Sequence, residues 1–258
     1  MTEVLIGLAV VLGAALLGAG ALHARVRLAG RSEGKGEEGK EKEKDDITGY
    51  VTMMVGVFYA LILGLSLVSV WEGHDAASQN SQTEATSLHE ISLLAAELPA
   101  APRRQIQNAA AAYAHYVVNT EWPLMQRGAP LPQTGWNLLA TLRRAVTSYE
   151  PETNAQNITD SDILTQLSGV DAAREGREGA ADDRMPLLLW IGLCIGGALT
   201  VLFTFSYSME RQFGHIALIM SLTGLIGFVM VLIFLLDNPF APGFGAGPGD
   251  FLSAFPGA

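Results

Sequence analysis

Cysteine is nearly absent from this sequence, and basic charge is scarce. Cys194 is the single cysteine among 258 residues, and the formal net charge is −10. One cysteine cannot close an intramolecular disulfide, so the redox compartment cannot be inferred from it. A chain this acidic lacks a basic face that could neutralise phosphates, which excludes nucleic acid as an expected partner.

Motifs for enzymatic chemistry or for a bound metal are also lacking. His74 and Asp75 are adjacent, as are His89 and Glu90, so the members of each pair point to different sides of a helix. That spacing does not fit a metal site. The sequence contains neither a nucleophile elbow nor a glycine-rich dinucleotide loop. We therefore expect no enzymatic activity, no resident cofactor and no metal site.

Charged residues are missing from the middle of four long apolar segments. These segments are Val4–Leu22, Ile47–Trp71, Pro186–Tyr207 and Phe213–Leu236. Each approaches or exceeds the roughly 20 residues that a helix needs to cross a bilayer. The absence of a charge within the segments argues against a proton-relay transporter or a voltage sensor. The first segment follows an acidic start and is longer than a signal-peptide core, so we expect it to be retained as a span.

The distribution of apolar and polar residues predicts an all-α membrane protein with four transmembrane helices and a helical soluble module between the second and third spans. We expect six parts in chain order. They are a first transmembrane helix (1–23), a charged cytoplasmic linker (24–46), a second transmembrane and candidate pore helix (47–71), the soluble module (72–184), the third and fourth transmembrane helices (185–236), and a tail rich in Gly, Pro and Phe (237–258).

Helical periodicity runs through residues 72–184, and no segment there alternates like a strand. The first helix should stop at Pro99, and the second should carry Pro102 in its first turn. A fourth helix should open with its caps at Thr159 to Ser161 and continue towards the third span. The expected apolar stripe of the second helix comprises Ile106, Ala109 or Ala110, Tyr113, Val117 and Thr120.

The arginines next to the spans predict the orientation in a cell membrane. Arg25, Arg27 and Arg31 follow the first span, and Arg211 lies between the third and fourth. Neither terminal tail contains Lys or Arg. Because short loops rich in Lys and Arg stay in the cytoplasm, we expect both termini and residues 72–184 to be extracytoplasmic in a multi-pass protein.

The second span continues into a polar stretch with no Gly-Pro break between them. Copies of this helix around an axis would form a narrow apolar neck that opens into a wet vestibule. The alternatives are ordinary helix packing within the membrane and a stalk that carries the soluble module. The pore-lining candidates are Tyr50, Met54, Phe58, Ile62, Gln79, Gln82 and Thr86.

Three stretches and the order of parts resemble the bacterial bestrophin-like family. The stretches are GVFYALILGLSLVSVWE at residues 56–72, the region from His115 to Pro123 with its Glu121 and Trp122, and DNPF at residues 237–240. The resemblance to the bacterial family covers nearly the whole chain. Over short pieces the sequence is also similar to bestrophin chloride channels, in the neck helix that ends in tryptophan and in the NPF segment.

The resemblance implies a homo-oligomer, a pentamer by analogy, that contacts lipid and conducts small inorganic anions. In bestrophins the NPF segment precedes an acidic calcium clasp, so the resemblance makes Asp237, Asn238 and Asp250 ion-binding candidates and calcium a candidate ligand. Bestrophins hold their helical module in the cytoplasm, which is opposite to the orientation that the arginines predict here.

The charge of the soluble module leaves the permeant ion open. Residues 72–184 contain 15 acidic residues against 8 arginines. An acidic vestibule would repel anions if those charges faced the path. The alternative function is a membrane-anchored extracytoplasmic interaction or sensor protein that conducts nothing.

Overall fold

A computed structural model describes residues 38–206 and 213–256. The regular structure of these residues is helical and includes no strand, which confirms the all-α class. The elements are α1 (Glu38–Ala95), α2 (Ala100–Tyr116), a π-helix (Val117–Glu121), α3 (Trp122–Gln126), α4 (Thr134–Thr147), α5 (Asn154–Asp182), α6 (Leu187–Ser206), α7 (Phe213–Leu236) and α8 (Gly249–Ala254).

Helix α1 runs for 58 residues and confirms that the second apolar segment continues as helix past its last apolar residue. No proline occurs within it, and its end at Ala95 precedes Pro99, which caps α2. A proline cannot donate a backbone hydrogen bond, and it also disfavours helical geometry in the residue before it. Helix α2 carries Pro102 within its first turn, as expected.

The described residues form two compact units. The first, here called the apolar unit, contains the residues up to Trp71 and Met185–Leu235. The second, here called the bundle unit, contains Glu72–Arg184 and the tail from Leu236 onwards. Helix α1 contributes residues to both units.

Two of the described helices are long and apolar enough to cross a membrane, namely α1 from Gly49 onwards and α7 from Ile219 onwards. Helices α5 and α6 add a third candidate if that pair is one broken span. The expected first span, Val4–Leu22, lies outside the described residues. Helix α7 has the bounds that the sequence predicts for the fourth span, and α6 begins one residue later than the predicted third span.

Close packing in the apolar unit is visible where α1 meets α6. Tyr59 is buried, and its ring and hydroxyl lie against Gly196 and Gly197. A Cβ atom added at either glycine would come within 2.7 to 2.8 Å of the tyrosine. Small residues of this kind let membrane helices approach each other closely.

The core of the bundle unit draws on α1, on every helix from α2 to α5 and on the tail. Every buried member of this core is at most 2% exposed. The fully buried apolar members include Ala77, Leu88, Ile91, Ile106, Tyr113, Val117, Leu142, Ile163, Leu167, Val170, Phe240 and Phe251.

Two sequence-based expectations for this unit are wrong. Helix α5 begins at Asn154 rather than near Thr159, because Thr153 and Gln156 form a reciprocal capping box. Thr120 is exposed, whereas Glu121 is buried. The π-helix explains the second error, since its wider turn places the fourth residue after Val117 on the inner side.

Candidate functional site

One side of α1 is exposed in the apolar unit. Tyr50, Met54, Phe58 and Ile62 follow one another at spacings of four and are between 52% and 73% exposed. On the same helix, Tyr59, Leu63 and Val70 are buried. Only 11% of the most apolar window of this helix is buried within the chain. The four predicted neck residues therefore lie on a surface that the described residues leave uncovered.

Glycines on this exposed helix are not used for packing within the chain. A Cβ atom added at Gly56 or Gly64 of α1 would have no atom within 4 Å. The same holds for Gly192 of α6 and Gly224 of α7. These positions differ from Gly196 and Gly197, where Tyr59 occupies the space. The described residues therefore leave these glycines open.

The exposed side of α1 becomes polar in the bundle unit. Gln79, Gln82 and Thr86 are all exposed, and Gln79 Nε2 donates a hydrogen bond of 2.6 Å to Asp75 Oδ2. Glu72 is exposed as well. Spacings of three and four place these side chains on one side of the helix. The three predicted vestibule residues therefore share their surface with two carboxylates.

The opposite side of α1 holds a cluster of buried charges, which we call the buried ionic cluster. It consists of Glu84, Glu121, Arg174 and Arg177 together with Tyr113, and the side chains of all four charged residues are 0% exposed. Glu84 lies on α1, Glu121 ends the π-helix, and both arginines lie on α5. Tyr113 lies on α2, so the cluster ties four separate elements of the bundle unit together.

The two arginines bind the two carboxylates in a closed set of hydrogen bonds. Arg177 Nε lies 2.6 Å from Glu84 Oε2, and its Nη2 donates to Glu84 Oε1 and Glu121 Oε2, both at 3.0 Å. Arg174 binds Glu121 through both Nη atoms, at 2.6 and 2.9 Å. Arg174 Nη1 also donates to the Tyr113 hydroxyl at 2.8 Å, and that hydroxyl donates to Glu84. Bidentate arginine pairs of this kind are the stronger and more directional hydrogen bonds in proteins.

Aromatic rings enclose the buried ionic cluster. Arg174 lies 5.0 Å from the centre of the Trp136 ring, and Arg177 lies 5.9 Å from that of Trp122. Trp136 Nε1 donates to Glu178 at 2.9 Å, and Glu178 also pairs with Arg174. Such cation–π contacts strengthen when water is excluded. The rings thus supply both packing and electrostatic compensation.

Burial has the largest effect on the pKa values in this cluster. It raises the pKa of Tyr113 well above its ordinary value of 10.0, and the Glu84 carboxylate raises it further. Burial alone lowers the pKa of Arg174 and Arg177, but the hydrogen bonds and charges of Glu121 and Glu84 outweigh it and leave both raised. At neutral pH both arginines are charged and Tyr113 keeps its proton.

The buried ionic cluster holds α1 in one rotational setting within the bundle unit. Glu84 can reach Arg177 only when its side of α1 faces the core, and Thr86, two residues further on, then faces outwards. Two carboxylates balance two arginines, so the cluster adds no net charge to the core. Removing one partner from a buried pair of this kind leaves an uncompensated charge in the core, which is strongly destabilising.

The C-terminal tail docks on the same core. Phe240 and Phe251 are both 0% exposed, and both meet the Trp122 ring edge-to-face, at 5.6 and 6.1 Å between ring centres. Trp122 Nε1 donates to the Ala246 carbonyl at 3.3 Å. Trp122 therefore links the tail to Arg177 and the buried ionic cluster.

The three ion-binding candidates lie in this tail. Asn238 Oδ1 accepts a hydrogen bond of 3.3 Å from the Phe240 amide and so shapes a turn. Asp250 occupies the first turn of α8, where an acid favours the helix dipole. Asp237 is half-buried at the end of α7. Among the described residues, no group of three or more His, Cys, Asp or Glu side chains is placed to hold a metal ion.

The model of the Bestrophin-like domain family matches residues 5–251. The chain belongs to the bestrophin-like domain family. This confirms the family that the sequence motifs indicate, and the match includes every pore-lining and ion-binding candidate. Comparison with curated proteins and with solved structures finds no match. Together with the family, the apolar helices indicate that this bestrophin-like protein associates with a membrane.

Sequence reasoning missed the buried ionic cluster of this bestrophin-like chain. A signal for it exists in the spacing of α5, where the stripe of Ile163, Leu167 and Val170 continues at the same intervals to Arg174 and Arg177. Glu84 occupies an equivalent place between buried residues of α1. Charged residues of opposite sign on apolar stripes indicate pairing in a core.

Proposed function

We propose that this bestrophin-like chain forms a homo-oligomeric ion channel whose pore is lined by the exposed side of α1. The carrying observation is that the described residues leave one side of α1 uncovered in both units, while Tyr59, Leu63 and Val70 in the apolar unit and Glu84, Leu88 and Ile91 in the bundle unit are buried. The uncovered side contains all seven pore-lining candidates, apolar up to Ile62 and polar from Gln79 onwards. The subunit number that the family resemblance favours is five.

The change in polarity along α1 suits a conduction path. Aromatic and aliphatic side chains before Trp71 would form a hydrophobic constriction, which gates ions by expelling water. Uncharged polar groups after it would line a wet vestibule. The open glycines, Gly56 and Gly64, support close approach of a neighbouring helix in the membrane.

We propose that the permeant ions are small anions, on the strength of the family alone. The exposed carboxylates of Glu72 and Asp75 stand on the same side of α1 and would repel anions at the end of the neck. Neutralising them with Glu72→Gln and Asp75→Asn should therefore raise chloride permeability relative to potassium. A wild-type protein that prefers potassium would disprove the anion proposal and leave the pore proposal standing.

The pore itself is tested by ion flux through the purified protein in liposomes, with separate chloride and potassium gradients. Phe58→Ala should change the flux several-fold while the oligomer remains intact. Met220→Ala on α7 is the matched control, since Met220 is 65% exposed against 66% for Phe58 but does not lie on α1. Equal flux in both variants would place Phe58 outside the path.

The remaining parts of the proposal concern membrane orientation and chemistry. We propose a multi-pass cell-membrane protein with both termini and residues 72–184 outside the cytoplasm, as the arginine positions predict. A Ser78→Cys variant in a Cys194→Ser background should then react with a membrane-impermeant thiol reagent in intact cells.

We propose neither a catalytic activity nor a cofactor. Calcium at Asp237 and Asp250 is a proposal that a flux assay with and without calcium tests.

A second candidate function is a membrane-anchored interaction or sensor protein that does not conduct. It is favoured by the role of α1 in the bundle unit, where Leu88 and Ile91 form part of the core and Glu84 anchors the buried ionic cluster. On this hypothesis, α1 is a stalk. A well-assembled protein that carries neither chloride nor potassium, with or without calcium and across a range of pH, would favour it.

A further inference from the structure

A cleft of about 620 Å³ opens in the bundle unit, away from the buried ionic cluster. Its walls come from the last turns of α1, from one side of α2 and from the end of the tail. Gln107 Nε2 of α2 donates to the Ser92 carbonyl of α1 at 2.9 Å and joins two of these walls. Volumes of this size accommodate small organic ligands.

The lining combines a small apolar floor with an aromatic wall. Ala111 and Ala112 are exposed in the cleft and leave room that larger side chains would fill. Phe255 forms the wall and meets the His89 ring edge-to-face, at 6.1 Å and 87°. A flat aromatic ring of a ligand would pack against this floor and wall, since aromatic pairs favour offset or edge-to-face contact.

The polar side chains of the lining can donate hydrogen bonds. His89, His115, Asn108 and Ser92 line the cleft, and none of its described lining residues is Asp or Glu. In a unit with 15 acidic residues against 8 arginines in its chain segment 72–184, the lack of acids here is a local exception.

We infer that this cleft is a binding site for a small aromatic carboxylate. The donors of His89, His115 and Asn108 receive the carboxylate oxygens, and the ring packs between Ala111 and Phe255. A cationic ligand would find no counter-charge in the lining. This inference is independent of conduction, because it concerns binding alone.

The test is calorimetric titration of the full-length protein in detergent with four probes of matched concentration: benzoate, benzamide, benzylamine and acetate. Benzoate should bind, while neutral benzamide and cationic benzylamine should bind at least fivefold more weakly. Acetate should also bind at least fivefold more weakly, because it lacks the ring. Equal binding of benzoate and benzamide would overturn the carboxylate assignment, and equal binding of benzoate and acetate would overturn the aromatic one.

Variants at two lining positions, compared with a control variant outside the cleft, locate the binding. Ala111→Trp should abolish benzoate binding by filling the floor, whereas Ala101→Trp on the same helix should leave it unchanged, since Ala101 is exposed and does not line the cleft. This pair also corrects for benzoate that enters the detergent. His115→Leu, at a second exposed position, should weaken binding at least fivefold. Undiminished binding to Ala111→Trp and His115→Leu would show that the site is not this cleft.

Discussion

The bundle unit and the apolar unit differ in how far the described residues complete them. The bundle unit buries its apolar stripes, pairs its core charges and covers Trp122 with its own tail. The apolar unit leaves α1 largely exposed, with open space at Gly56 and Gly64. In water an uncovered apolar core would be costly, whereas a membrane helix can be covered by lipid or by another helix. We therefore expect the assembly of this chain to depend on the apolar unit.

Removing one arginine from the buried ionic cluster should have the largest effect on the completed unit. Arg177→Met leaves Glu84 buried and without its main partner, which typically costs about 3–5 kcal/mol. We expect the melting temperature of the bundle unit to fall by about 10 °C. Thermal unfolding followed by circular dichroism measures this.

A paired variant separates the lost charge partner from the lost packing. Adding Glu84→Gln to Arg177→Met removes the unpaired charge, so we expect much of the lost stability to return. If Arg177→Met melted at the wild-type temperature, the buried ionic cluster would not be needed for the stability of the bundle unit.

Detaching the tail should have a slightly smaller effect. Phe251→Ala removes a fully buried ring from Trp122, and such truncations cost about 3–5 kcal/mol when the loss is global. Because the tail can open locally, we expect faster protease trimming after α7 and a smaller shift in melting. Phe244→Ala is the control, since Phe244 is 62% exposed. Similar trimming of both variants would contradict a docking role for Phe251.

A glycine pair tests how tightly the bundle unit is packed. Ala at Gly135 would place Cβ against Arg174 and Glu121, so overpacking should cost about 1–3 kcal/mol even though Ala favours helix. Gly179→Ala on α5 meets nothing within 4 Å and should instead stabilise by about 1 kcal/mol. Denaturant unfolding of both variants measures the opposite signs. Stabilisation by both substitutions would mean that helix propensity, and not contact with the buried ionic cluster, determines the change in stability.

The features of the fold that the sequence predicts are those that a local pattern of residues encodes. The bounds of α7 and the continuation of α1 past Trp71 follow from runs of apolar residues and from proline positions. The pairing of charged side chains across the core does not follow from such local patterns. The spacing of Arg174 and Arg177 marks them as inward-facing, but no local rule selects Glu84, some 90 residues earlier in the chain, as the partner of Arg177.

The π-helix shows the same limit on a smaller scale. Its extra residue moves Glu121 into the core, and a regular helical period predicts Thr120 there instead. The candidate pore side of α1 has a different status. Its residues are exposed, as a lining would be in one chain, but only an assembled protein can show what covers them.

The apolar unit offers its own test of that assembly. Gly64→Leu fills space that the described residues leave open, so folding should be unaffected and association should weaken about tenfold, or about 1.4 kcal/mol. Crosslinking in membranes measures the oligomer. Gly196→Leu is the contrast, because it would collide with Tyr59 and disturb the chain itself. An unchanged oligomer in Gly64→Leu would indicate that lipid covers this side.

The smallest expected effect is a loss of stability at high pH through Tyr113. Burial and the Glu84 carboxylate raise its pKa well above 10.0 in the folded protein. Below pH 10.0 the hydroxyl is protonated in both states and its contribution is complete. Above that pH the unfolded chain releases the proton and the folded chain keeps it, so stability falls by up to about 1.4 kcal/mol per pH unit. Melting temperatures from pH 9 to 11 should therefore fall more steeply for the wild type than for Tyr113→Phe. Parallel slopes would mean that the hydroxyl titrates alike in both states, and that the core around it admits water.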